Sequence, residues 1–133
     1  KTWVVLETPF ESGQSLGIFG TFFFSKNQGF IVGGDYVDDK QPTLQYAFTK
    51  NGGTFWQTRE AYYRKGLTEC VSKISENNFI SVGTIGTAIS TDKGKTWEEK
   101  DKESFHVISC KDNKCVAAGS NGRIGVFHLD LAQ

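Results

Sequence analysis

Apolar and polar residues alternate along most of this chain at a period of two, in short runs separated by polar, glycine-bearing turns. That rhythm predicts β-strands, and no helical period interrupts it. The runs recur in a fixed order. A first type, a, reads GIFGTFFFS, then GLTECVSKI, then SFHVISC. A second, b, reads GFIVGG, FISVGT and CVAAGS, the first two following a polar turn rich in asparagine and glutamine. A third, c, reads TLQYAFT, TAIST and RIGVFHL. A fourth, d, contains a tryptophan: KTWVVLE at the start of the chain, TFWQTRE, then KTWEEK. In chain order this is d, a-b-c-d, a-b-c-d, a-b-c.

Four-stranded units of about 40 residues have the size of propeller blades. The expected fold is therefore all-β, with blades of four antiparallel strands and about three blades in the chain. The expected boundaries are a strand d at 1–7, a blade at 15–60, a blade at 66–100 and an incomplete blade at 104–133. A solenoid or a sandwich is the alternative; the fixed place of tryptophan in d favours a propeller. Phe22, Phe23 and Phe24 are consecutive in strand a, so both faces of that strand are apolar, as in a sheet packed between two others. Propellers have about four to eight blades, so three leave two faces to be covered. The expectation is that the ring is completed by an N-terminal segment removed by processing but still bound, or by a second copy of the chain.

Composition narrows the function. The chain has 133 residues, with 15 basic and 15 acidic side chains and no net charge. That balance argues against a general nucleic-acid binder. No apolar run is long enough for a membrane-spanning helix. The absence of methionine suggests a mature or trimmed product. Three cysteines cannot all pair within one chain. Cys110 and Cys115 flank the polar turn KDNK, and either form a disulfide across a hairpin or remain two thiols. Cys70 reads as a small core residue. The spacing of His106, Cys110 and Cys115 lacks the paired ligands of a zinc framework, and no metal or cofactor is expected. There is no dinucleotide fingerprint and no haem or flavin motif.

The stretch STDKGKTW fills every key position of the Asp box, or bacterial neuraminidase repeat: Ser90, Asp92, Gly94, Thr96 and Trp97. A looser copy holds Thr49, Asn51, Gly53 and Trp56, with Phe55 where threonine would stand, and Thr2 and Trp3 match the end of a third. The physical logic is a c–d hairpin. Asp or Asn accepts backbone N–H groups, glycine takes a positive φ and tryptophan covers the space between sheets. With NQGFIVGGDY, FISVGTIG and CVAAGSNGRIGVF, the chain resembles the C-terminal half of secreted Asp-box propellers. These are related to photosystem II assembly-factor propellers, and some bacterial members carry the loose label "oxidoreductase". The resemblance implies a structural role for the motif, away from the ligand rim, and a secreted or extracytoplasmic location.

In such a fold the b–c loops and d–a links form one rim. The candidate ligand residues there are Asp35 and Tyr36 in the longest insertion, Tyr62, Tyr63 and Arg64, His106 at the start of a strand a, and Arg123. Asp38 and Asp39 are too few for a calcium site. Sialidases need three arginines on one carboxylate, a Tyr–Glu pair and an Asp acid. The chain has three arginines in all, Arg59, Arg64 and Arg123, without the sequence context of that family. No GxSxG elbow occurs. The reading that follows is a non-catalytic binding or assembly scaffold with a protein or glycan ligand; the alternative is a fragment of a glycan-directed, sialidase-like hydrolase.

Overall fold

The computed structural model of the chain describes residues 2–129. It is all-β, with twelve strands and two short 3-10 turns. The first blade contains β1 (Leu16–Phe23), β2 (Gly29–Asp35), β3 (Thr43–Leu44), β4 (Tyr46–Thr49) and β5 (Tyr63–Arg64). The second is a four-stranded antiparallel sheet of β6 (Thr68–Lys73), β7 (Phe79–Gly83), β8 (Gly86–Ser90) and β9 (Glu98–Asp101). The third has β10 (Val107–Lys111), β11 (Lys114–Ala118) and β12 (Ile124–His128), paired in that order. The a-b-c-d order is thus present, whole in the second blade, and the three blades form an open, partial propeller ring. Strand d of the second blade, β9, pairs with β8 at Thr87–Asp101, Ala88–Glu99 and Ile89–Glu98.

Alternation places the core between the sheets. On β7, Phe79 enters a cluster with Phe30, Val32, Leu44, Tyr46, Phe48, Tyr62 and Val71, against which Phe22, Phe24 and Trp97 pack. The alternate residues Ile80 and Val82 enter a second cluster with Ile74, Ile108, Cys115 and Ala117. The first cluster joins blades one and two; the second joins blades two and three. Phe23 points the other way, edge-on to Trp56 with ring centroids 6.2 Å apart. Two glycines let strands a and b approach closely. A side chain on Gly33 would overlap the Gly17 carbonyl, and one on Gly83 would overlap the Leu67 carbonyl.

Three expectations change. Residues 2–7 form no strand, because no strand c lies beside them among the described residues; Lys1 is outside the described range. Trp3 is 99% exposed and covers no sheet. Strand d of the first blade is broken: Gln57 bridges Phe48, a 3-10 turn occupies Glu60–Tyr62, and β5 then pairs with β3. Strand c opposite it is broken at the same level, at Gln45. The third blade ends at β12 among the described residues, the last four residues of its expected span lying outside them.

Candidate functional site

Strands a of neighbouring blades lie side by side. Ile108 N–H donates to Cys70 Sγ at 3.4 Å and Cys110 N–H to Ser72 Oγ at 3.1 Å, which joins β10 to β6. The b–c loops and d–a links meet at one end of these strands, and the c–d hairpins lie at the other.

In the Ser90–Trp97 hairpin, Ser90 Oγ donates to Asp92 Oδ1 at 2.8 Å and accepts the Gly94 N–H at 2.8 Å. Thr96 donates to Asp92 through its N–H at 2.8 Å and its hydroxyl at 2.6 Å. Gly94 has φ +86° and lies against the Phe30 ring. Partial burial works against the charged form of Asp92. The hydrogen bonds from Thr96, Ser90 and the Lys95 N–H together outweigh it and hold the carboxyl below its ordinary value. Trp97 stacks on Tyr46 at 4.6 Å and meets Phe30 edge-on at 5.6 Å. The upstream hairpin repeats the frame: Gly53 N–H donates to Thr49 Oγ1 at 2.9 Å and Phe55 N–H to Asn51 Oδ1 at 2.9 Å. The side chains of Ser90, Asp92 and Thr96, and those of Thr49 and Asn51 in the upstream copy, are thus engaged in holding a turn.

The rim candidates separate into three places. Asp35 is a loop fastener: its carboxylate accepts the N–H groups of Val37 at 2.9 Å and Asp38 at 3.0 Å. The Ser15 hydroxyl and these two N–H groups hold its carboxyl below the ordinary value. Tyr36 beside it is exposed, with its ring edge-on to Phe19 at 6.1 Å.

The second place is the junction of blades one and two. Tyr62, expected on the rim, is buried at 3% exposure. The break in strand d turns its ring inward against Tyr46, and its hydroxyl donates to the Lys95 carbonyl at 2.5 Å. Burial pushes the Tyr62 phenol up, against the opposing pull of Arg59. Tyr63 is exposed, while Arg64 donates to Glu99 at 3.0 Å across the blade junction. Arg59, Tyr62, Arg64, Lys95, Trp97 and Glu99 line a cavity of about 320 Å³. Arg59 lies 6.0 Å from the Tyr62 ring centre. Among the described residues neither Arg59 nor Lys95 has an ion pair, whereas Glu99 is shared between Arg64 and Lys102. The cavity therefore has an aromatic floor and a surplus of positive charge.

The third place is on blade three. Arg123 donates to Glu103 at 2.8 Å and to the Ser104 carbonyl at 2.6 Å, with its guanidinium 4.6 Å from the Phe105 ring centre. His106 joins the third blade to the second, with Nδ1 3.0 Å from the Glu69 carboxylate and Nε2 3.0 Å from Ser120 Oγ. Cys110 and Cys115 form a disulfide across β10 and β11, closed by Asp112 and Asn113 with φ of +53° and +66°. Cys70 is a free thiol, half-buried beside Ile108.

Sequence reasoning missed two features. Arg59, Lys95 and Glu99 read as strand d and hairpin residues, and only the broken d strand gathers them. Gln45 reads as one of a run, yet it is fully buried and donates to the Arg64 carbonyl at 3.2 Å and the Gly66 carbonyl at 2.5 Å. Its Oε1 accepts the Thr68 hydroxyl at 2.7 Å. It fixes the link that carries Arg64. Its isolation among apolar residues was the available signal, since a buried amide must find partners. The three arginines do not converge within this chain: Arg59 and Arg64 share one cavity, and Arg123 lines another. The sialidase constellation is not assembled by these residues.

No family model matches the chain. No curated protein matches it. Among solved structures, YCF48 bound to D1 peptide superposes with a TM-score of 0.64 at 20% identity, over 90% of this chain and 40% of that one. YCF48 from Cyanidioschyzon merolae superposes with a TM-score of 0.59 at 22% identity, over 90% of this chain and 35% of that one. The likeness is one of fold, to β-propellers, and this chain spans well under half the length of either.

Proposed function

We propose that the chain is part of a binding or assembly propeller, and that the junction of blades one and two receives a carboxylate-bearing segment of a partner protein. The observation that carries this reading is the cavity over Tyr62 and Trp97, where Arg59 and Lys95 have no ion pair among the described residues. Arginine and lysine beside aromatic faces suit an acidic, extended peptide better than a neutral one. The peptide held by the YCF48 structure is a supporting parallel from a protein of the same fold. The exposed apolar residues Val107, Val116, Ile124 and Val126 on the last blade, and Trp3, Val4 and Val5 before the first, fit a role for further blades that complete the ring.

Fluorescence anisotropy with a short labelled peptide rich in Asp and Glu tests the reading. A peptide of the same length with Asn and Gln in place of the acids is the control. The acidic peptide should bind, and the Arg59→Ala and Lys95→Ala variants should each weaken it by about tenfold, or ~1.4 kcal/mol. Equal binding of the two peptides, or no effect of either substitution, would count against it.

A further inference from the structure

We propose that Ser120, His106 and Glu69 form a serine-nucleophile centre able to hydrolyse small acyl esters. The three residues come from three different elements. Glu69 is on β6 of the second blade, His106 immediately precedes β10, and Ser120 opens the b–c loop of the third blade. They nevertheless form one linear chain of hydrogen bonds. Both Glu69 oxygens lie 3.0 Å from His106 Nδ1, and Ser120 Oγ lies 3.0 Å from Nε2. A carboxylate can only accept, so Nδ1 carries the proton and donates to Glu69. Nε2 is then left as the acceptor, and the Ser120 hydroxyl donates to it. This is the order of roles in a Ser–His–acid triad, which is recognised by geometry and not by chain order.

The surroundings hold the acid end of the chain and leave the nucleophile end open. Glu69 is mostly buried, which holds the imidazole in place, while His106 is half-exposed and open to substrate. A cavity of about 330 Å³ adjoins His106 and Glu69 and is lined by Phe19, Thr21, Cys70, Val71 and Val107, while Ser120 stands outside it, on the other ring nitrogen and exposed to solvent.

The reaction balances without any further group. Ser120 Oγ bonds to the ester carbonyl carbon as its proton passes to His106 Nε2. The bond from that carbon to the alcohol oxygen then breaks, and the imidazolium returns the proton to the departing alkoxide. Water attacks the acyl-serine by the same route, releasing the carboxylic acid and restoring the hydroxyl.

The test uses the whole chain with a fluorophosphonate probe and with p-nitrophenyl acetate. Mass spectrometry should place the phosphonyl adduct on Ser120. Ser120→Ala should abolish labelling, and His106→Gln should slow both reactions by about a hundredfold. Glu69→Gln should slow them by at least about tenfold, because the imidazole loses the partner that sets its tautomer. An unlabelled wild-type chain, an adduct on another residue, or ester turnover unchanged in Ser120→Ala would overturn the proposal. If the His106 or Glu69 variants fail to fold by circular dichroism, Ser120→Ala, which removes one exposed hydroxyl, decides the matter alone.

Discussion

The two complete tryptophan hairpins share a backbone and differ in what their indoles meet. In both, a hydroxyl at the first position accepts the N–H of a glycine four residues on, and an Asp or Asn oxygen accepts an N–H four residues beyond itself. Trp97 has the first blade beneath it: Tyr46 stacks on its face, Phe30 meets its edge, and its Nε1–H donates to the Gly94 carbonyl at 3.0 Å. Trp56 has no blade before it among the described residues. It meets Phe23 edge-on, and its buried Nε1–H has no acceptor among the described residues. The hairpin is therefore a local device that closes wherever the polar pattern allows. The tryptophan ring is a device between blades, and both its face and its edge are packed where a neighbouring sheet supplies the other wall.

The largest test of this comparison is truncation of the two indoles. Trp97→Ala removes the wall between the first two blades and leaves Tyr46 and Phe30 facing a void, so it should cost about 3 kcal/mol. Trp56→Ala removes one edge contact from the outer face of the first blade and should cost about 1 kcal/mol. Urea unfolding of each variant measures the difference. Equal losses would break the comparison, because they would mean that Trp56 is seated as firmly as Trp97.

The same division marks what was legible in the sequence. Strand order and the core were legible because alternation is enforced wherever a sheet is buried on both faces. Phe22 and Phe24 turn one way and Phe23 the other, as their spacing requires. The hairpins were legible because their hydrogen bonds are made within a few residues. The inter-blade cavity was not, since Arg59, Arg64, Lys95 and Glu99 meet only through the break in strand d. Nothing local announces that break: TFWQTREAYYR has the apolar and polar content of an ordinary strand and link. His106 stood out in the sequence as a rim residue, but its link to Ser120 and Glu69 was illegible for the same reason. Each is a common polar residue at the end of a strand, and only the juxtaposition of two strands a and one loop brings them together.

A middle-sized test uses acid, because one hairpin titrates and the other does not. The Asp92 carboxyl lies below its unfolded value of ~4. A depressed carboxyl contributes stability that is fully present above the unfolded value and is lost as pH falls through the lower folded one. Asn51 has no proton to take up over that range. Melting temperatures from neutral pH to about pH 3 should therefore show Asp92→Asn less stable than wild type by about a few °C at neutral pH. The gap should close in acid. A gap that persists unchanged at the lowest pH would show that the charge of Asp92 is not what fastens the turn.

The smallest test separates the indole N–H from the ring. Phenylalanine keeps most of the aromatic area and deletes the donor. At Trp97 the donor is satisfied, so Trp97→Phe leaves the Gly94 carbonyl without its partner and should cost about 1 kcal/mol beyond the area lost. At Trp56 the donor is buried and unpaired, which already carries a desolvation penalty. Trp56→Phe relieves that penalty while it shrinks the Phe23 contact, so the two effects oppose each other and the net change should lie within about 0.5 kcal/mol of zero. A clear loss at Trp56 would mean that its N–H has an acceptor in solution, as Trp97 has in the carbonyl of its own hairpin glycine.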